Sequence, residues 1–295
     1  MSEHNQTRIA VVGAAGMLGG ALVRLLQESR RPFVALTRRE LDLERLDRIA
    51  PALSQAGVGA VINASAYSDV NGAERDDQRE LAFRINRDVP GALARTCKEL
   101  SIPLLHVSTD FVFDGKADRP YREDDPTCAV QAYGRSKLEG EWAVQEVLPG
   151  ALIARTSTLY GPGERERPHY VDAILRQARE KNRIEVVEKP VSSPTYAPDL
   201  AGWLLALLDL GAGGILHTVN AGHCSRFQLA GAAVEEAGYA GRVEVAIRPA
   251  PPATLERPDF SPLDTTLLAE TLGRPPRPWR EALREYVGRY HAPGS

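Results

Sequence analysis

Arg8-Ile9-Ala10-Val11-Val12-Gly13-Ala14-Ala15-Gly16-Met17-Leu18-Gly19 is the stretch that decides the fold. A short apolar, β-branched run ends at a glycine, and apolar residues then recur at three- and four-residue intervals, which describes a strand running directly into a helix. Gly13, Gly16 and Gly19 form G-x-x-G-x-x-G at that junction. Such a turn presents backbone N–H groups, here with those of Met17 and Leu18 at the helix start, to an anion at close range. A β-carbon on the turn would hold a pyrophosphate away. The stretch therefore predicts a dinucleotide site and the opening unit of a βαβ fold.

Working outward, the first half of the chain repeats this alternation. Strands are expected at 8–13, 33–37, 60–64, 104–108 and 151–155, and helices at 17–28, 90–100 and 133–147. Short buried strands separated by amphipathic helices imply an α/β fold, a Rossmann-type doubly wound parallel sheet with helices on both faces. After about residue 161 the pattern is interrupted by Pro162, Pro168, Pro190, Pro194 and Pro198, although 184–187 and 215–219 still read as strands. The expected division is a dinucleotide-binding domain over 1–160, to which 191–220 return, and a smaller C-terminal substrate lobe from 161–190 and 221–295. Residues 248–262 hold too much proline for a regular helix, whereas Trp279, Leu283, Tyr286, Val287 and Tyr290 share one face of a closing helix.

Composition narrows the function classes. With 295 residues, 43% hydrophobic and 25% charged, the chain fits a globular protein and neither a fibrous repeat nor a disordered tail. A formal charge of −3 gives no general attraction to nucleic acid, so an anionic ligand must be captured locally. The longest apolar stretch, 201–208, is too short to span a bilayer, and the polar start carries no export signal, so no membrane role is expected. Cys97, Cys128 and Cys224 match neither a disulfide framework nor a zinc site, which makes a reducing cytoplasm the expected compartment.

Several residues carry chemistry. Thr37-Arg38-Arg39 ends the second strand, where an acidic residue would grip a ribose 2′-hydroxyl. Guanidinium groups suit a 2′-phosphate instead, so NADP(H) is expected in preference to NAD(H). Asn63, Ala64, Ser65 and Ala66, at the end of the third strand, would border the cofactor, and Tyr67 would face the substrate. In Tyr133-Gly134-Arg135-Ser136-Lys137 the phenol and the ammonium lie four residues apart on one helical face. The ammonium is expected to lower the tyrosine pKa, fitting the phenol for proton transfer. Val107-Ser108-Thr109-Asp110 ends the fourth strand at the carboxyl edge, where such sheets present their sites, and a hydroxyl there can bond a substrate oxygen. His106 reads as a satisfied core residue, and His217 and His223 lack metal-ligand spacing.

Taken in order, Gly13 to Gly19, Val61-Ile62-Asn63-Ala64-Ser65-Ala66-Tyr67, Val107-Ser108-Thr109-Asp110-Phe111-Val112-Phe113-Asp114-Gly115, Tyr133 to Lys137, Arg155-Thr156-Ser157, Pro194-Thr195 and Arg257-Pro258 form a pattern. With it the chain resembles the extended short-chain dehydrogenase/reductases and, within them, the dTDP-4-dehydrorhamnose reductases. The resemblance implies NADPH-dependent reduction of the 4-keto group of a dTDP-linked 6-deoxyhexose, with Thr109, Tyr133 and Lys137 as catalytic trio and Asn86 ordering the site. It also implies a nucleotide-sugar pocket between two lobes, with Asp110, Phe111 and Thr158 at the sugar and Arg257 at the diphosphate. Thr158 departs from the tryptophan common at that position. No metal is expected, and a homodimer is compatible with the resemblance. A 4,6-dehydratase is disfavoured because Phe111 stands where a second proton carrier is needed. A nucleotide-sugar 4-epimerase, returning hydride to tightly held NAD, and an idle NADP-binding subunit similar to the methionine adenosyltransferase β-subunit are the rival readings. Arg38 and Arg39 speak against the first, and the intact trio against the second.

Overall fold

Six parallel strands form the main sheet: β1 Ile9–Val12, β2 Phe33–Leu36, β3 Ala60–Asn63, β4 Leu104–Thr109, β5 Leu152–Thr156 and β6 Gly214–His217, in the order β6-β5-β4-β3-β1-β2. This is a computed structural model, and it describes residues 7–163, 168–250 and 255–291. β1, β3, β4 and β5 are buried along their whole length, which is why their sequences are nearly continuous apolar runs and lack alternation. β2, at the edge, is only half-buried.

Ten helices accompany the strands among the described residues: α1 Met17–Glu28, α2 Ile49–Ala56, α3 Asp76–Phe83, α4 Val89–Leu100, α5 Ala132–Val147, α6 Tyr170–Glu180, α7 Ala197–Asp209, α8 Arg226–Glu236, α9 Thr266–Leu272 and α10 Trp279–Tyr290. Successive strand side chains point to opposite faces, so each strand feeds two cores. Ile9, Val11, Ile62 and Leu105 pack with α1 and α7. Ala10, Val12, Val61 and Leu104 pack with residues of α2, α4 and α5. The sheet is thus doubly wound, as the sequence predicts. The apolar stretch 201–208 lies inside α7, against α1, and no described helix is long and apolar enough to cross a membrane.

The elements fall close to their expected places. α1 has the expected bounds, α4 and α5 each begin one residue earlier, and β5 is displaced by one residue. Ile184 lies in a strand, Arg183–Val186, that pairs in parallel with Glu244–Ile247 outside the main sheet. These strands share a separate apolar cluster with α6, α8 and α10, in which Leu283, Tyr286 and Val287 are buried. No described part of 248–262 is helical.

Two features of this frame position the site. The sheet order runs from β1 to β2 on one side and from β1 to β3 on the other, and a crevice opens at the carboxyl ends of strands where such an order reverses. Between α3 and α4 the helix does not stop but widens into one π turn, Arg84–Asp88, a distortion that turns Asn86 inward.

Candidate active site

A cleft of about 680 Å³ lies across the carboxyl ends of β1 to β5. At its first end the turn after β1 is pressed against the turn after β3. Gly13 has φ +81°, and a β-carbon there would stand 2.7 Å from the Ser65 Cα, so no other residue fits without displacing the neighbouring strand end. α1 starts at Gly16 with no side-chain cap and no acid in its first turn. Gly16, Met17 and Leu18 line the cleft; the Gly16 amide donates to the Gly13 carbonyl at 3.0 Å, and the unshared amides of Met17 and Leu18 suit a pyrophosphate. Gly19 lies off the cleft, one turn on, packed against the Gly13 carbonyl. Arg38 lines the cleft together with Thr37, Asp42, Leu43 and Glu44, and it forms an ion pair with Glu44. Arg39 lies outside the wall, and the Thr37 amide donates to the Glu40 carboxylate at 3.0 Å.

Of the four residues expected to border the cofactor after β3, Ala64, Ser65 and Ala66 reach the cleft and Asn63 does not. Ala64, Ser65, Ala66 and Tyr67 line the cleft, whereas Asn63 is fully buried behind them. Its Oδ1 accepts from the Ser65 amide (3.1 Å) and hydroxyl (2.6 Å), and its amide nitrogen lies 3.0 Å from His106 Nδ1. Asn86 is likewise behind the wall. It accepts from the Tyr67 amide at 2.9 Å and donates to the Tyr67 carbonyl (3.1 Å) and the Ser136 hydroxyl (2.9 Å), joining the turn after β3 to α5.

At the middle of the cleft Thr109, Tyr133 and Lys137 come together. The first turn of α5 is capped by Gln131, whose side chain accepts from the Gly134 amide at 2.9 Å. A β-carbon on Gly134 would collide with the Phe111 carbonyl, so glycine at this point lets α5 sit directly on the turn that follows β4. Phe111 meets Tyr133 edge-on, with ring centroids 5.7 Å apart. Loss of hydration pushes the Tyr133 phenol up to about 12, with the Thr109 hydroxyl pulling the other way. The expectation that Lys137 makes this phenol more acidic is therefore corrected: burial raises it, and the group that pulls it down is the Thr109 hydroxyl. The Lys137 ammonium donates to the Val107 carbonyl at 2.7 Å and lies 3.4 Å from His106 Nε2. Burial lowers it to about 8, against the opposing pull of Glu141. Glu141, one turn along α5, is itself held by Arg155 at 2.8 Å and by Ser108, all three buried.

Asp110 is buried beside Thr109 and accepts three hydroxyls. Thr109 Oγ1 donates at 3.1 Å, Ser157 Oγ at 2.7 Å and Ser261 Oγ at 2.6 Å. Burial raises its pKa while the hydroxyls hold it down. At the far end Thr158 has φ +38°, a left-handed conformation rarely taken by a β-branched residue, and shares a hydrogen bond with Ser192 at 2.8 Å. Arg257 lines the cleft and donates to Asn71 at 2.6 Å. Arg226, which the sequence reading does not single out, also lines it. Its guanidinium lies 4.4 Å over the Tyr170 ring, and among the described residues no carboxylate pairs with it. The local sequence shows only the capping box of Ser225 and Gln228, which makes Arg226 the first residue of α8 and carries no sign of the cleft. His217 is buried with Nδ1 3.9 Å from a Glu123 carboxylate oxygen, and no group of three metal-ligating side chains is found among the described residues.

Residues 7–292 match the RmlD substrate binding domain family. The chain belongs to this family. It is 38% identical over 284 residues to the dTDP-4-dehydrorhamnose reductase of Mycolicibacterium smegmatis, covering 95% of this chain and 85% of that one. It is 34% identical to the dTDP-4-keto-6-deoxy-D-glucose reductase of Streptomyces niveus, covering 93% and 91%. Among solved structures, the Bacillus anthracis dTDP-4-dehydrorhamnose reductase in complex with NADP superposes with a TM-score of 0.89 at 28% identity, over 96% of this chain and 99% of that one. The RmlD family thus accounts for the whole described chain, including the segment that carries Arg257.

Proposed function

We propose that this protein reduces the 4-keto group of a dTDP-linked 6-deoxyhexose with NADPH. The observation that carries the reading is the convergence of Thr109, Tyr133 and Lys137 midway between the uncapped start of α1 and the arginines of the far end. The two relatives named above are reductases of dTDP-4-keto sugars, and the related structure named above holds NADP.

NADP(H), when bound, supplies hydride to the keto carbon. The amides of Met17 and Leu18 would hold the pyrophosphate, and Arg38 would take the 2′-phosphate in exchange for its exposed partner Glu44. Thr109 turns its one hydroxyl hydrogen from the Asp110 carboxylate to the substrate carbonyl oxygen and polarises it, leaving Asp110 the Ser157 and Ser261 hydroxyls. Tyr133 gives its proton to the developing alkoxide; a phenol held up near 12 stays protonated at neutral pH and is still far more acidic than the alcohol it makes. Lys137 faces the same space and supports the phenolate left behind. Arg226 and Arg257 draw in the diphosphate, and Tyr67, Asp110, Phe111 and Thr158 surround the hexose. In this reading the cluster built on α6, α8 and α10 is the substrate lobe, and residues 191–220 belong with the dinucleotide-binding domain. The three cysteines stand as free thiols, which suits a reducing cytoplasm.

Oxidation of NADPH in the presence of a dTDP-4-keto-6-deoxyhexose, followed by loss of reduced-nicotinamide absorbance, tests the proposal. Turnover dependent on both compounds is expected. Tight NADP binding with no turnover on any such sugar would instead mark an idle binding subunit.

A further inference from the structure

Lys137 is gripped from behind by β4, and the hydrogen bonds that reach one of its two contacts fix the position of a proton. The Ser65 amide donates to one end of the Asn63 side chain at 3.1 Å. A backbone N–H cannot accept, so this end is the carbonyl oxygen and the opposite end is the NH₂. That NH₂ lies 3.0 Å from His106 Nδ1, which must accept from it. A neutral imidazole that accepts at Nδ1 carries its hydrogen on Nε2. Nε2 in turn lies 3.4 Å from Lys137 Nζ. Asn63 and His106 are 0% exposed and Lys137 2%, so these contacts lie out of reach of bulk solvent. A cationic His106 would place two buried positive charges side by side, and burial drives this imidazole well below its usual range.

We propose that His106 is a positioning residue for Lys137, whose Nε2–H tautomer, dictated by Asn63, turns a donor toward the lysine nitrogen, favours the uncharged amine and directs its free valences into the cleft. The other groups around Lys137 do not compete for this role. On its own helix Glu141 is occupied by Arg155 of β5 and Ser108 of β4, and Tyr133 lies on the cleft side. Asp110 is occupied by three hydroxyls, and the π turn contributes Asn86, an uncharged group spent on Tyr67 and Ser136. On the β4 side that leaves the Val107 carbonyl, which takes one lysine hydrogen, and the imidazole, which refuses another. In catalysis, a meaning that rests on the reductase reading, the device makes the charge of Lys137 adjustable near neutral pH.

The tautomer is read directly from imidazole ¹⁵N spectra of the cofactor-free protein, with the His106 signals assigned by their absence in His106→Gln. A bare Nδ1 and a protonated Nε2 are expected from about pH 6 to about pH 9, since a buried neutral imidazole does not titrate there. A hydrogen on Nδ1, or titration to the cation within that range, overturns the inference. His106→Gln can set a carbonyl oxygen where Nε2–H stood, so the Lys137 titration, followed by its ¹³Cε shift, is expected to rise by about half a unit or more. An unchanged titration in a folded variant overturns it. Both readouts use the protein alone, so a failed reductase assay leaves them intact. Where turnover is present, the alkaline limb of kcat moves up with the lysine; a limb that stays put breaks the link to catalysis.

Discussion

The Tyr133 phenol ends against the Thr109 hydroxyl and the edge of Phe111, in surroundings that disfavour its anion. For a group that must donate a proton this is useful, because it is in the donating form at every physiological pH. Tyr133→Phe is expected to leave the dissociation constant for NADPH unchanged and to lower kcat by a factor on the order of 10² to 10⁴, the usual range for losing a positioned acid. Cofactor fluorescence titration and steady-state kinetics check the two halves. The four-residue spacing of Tyr133 and Lys137 is readable in the sequence because it fixes a helical face. The direction of the tyrosine shift is not, because it is set by burial among long-range neighbours, while the ammonium is engaged elsewhere. That place is the Val107 carbonyl, thirty residues away on another element.

At the scale of elements, the site depends on how closely α5 approaches the turn after β4. Gly134 is what permits the approach, since any β-carbon meets the Phe111 carbonyl, which is backbone and cannot swing aside. Gly134→Ala is expected to destabilise the fold by roughly 1–3 kcal/mol, the usual range for overpacking, visible as a lowered Tm. Turnover should fall further than NADPH binding does, because Tyr133 moves with the helix start. Strands were legible here because burial on both faces writes an unbroken apolar run. The helices α2 and α3 were not legible. α3 buries only Ala82 and has no apolar stripe for periodicity to find. The π turn that brings Asn86 inward leaves no periodic signature of its own, and the place of Asn86 came from resemblance alone.

On the scale of the whole molecule, the cleft joins the sheet edge to segments distant in sequence. The Asp110 carboxylate holds Ser157 at the end of β5 and Ser261 of the C-terminal third, so one buried acid ties both walls together. Arg226 reaches the cleft from α8 with no carboxylate partner among the described residues, its side chain supported by Tyr170. Arg226→Ala is therefore expected to raise KM for the dTDP sugar by tenfold or more, equivalent to about 1.4 kcal/mol of lost charge-assisted binding, with KM for NADPH little changed. Product-inhibition constants for dTDP and NADP distinguish the two ends of the cleft. Arg226 escaped the sequence reading because its neighbours in the cleft are long-range contacts, and no local spacing encodes them. Arg39 differs from Arg38 for the complementary reason: adjacency in sequence does not put both side chains on the cleft wall, and only Arg38 lines it.

Hydride delivery to the sugar is tested most directly by isotope transfer. With NADPH deuterated at the nicotinamide C4 and a dTDP-4-keto-6-deoxyhexose, the protein should yield a dTDP-6-deoxyhexose carrying one deuterium on its C4 carbon, matched by an equal amount of oxidised cofactor. A product free of deuterium at C4, or an altered sugar formed with no net NADPH consumed, would contradict the account.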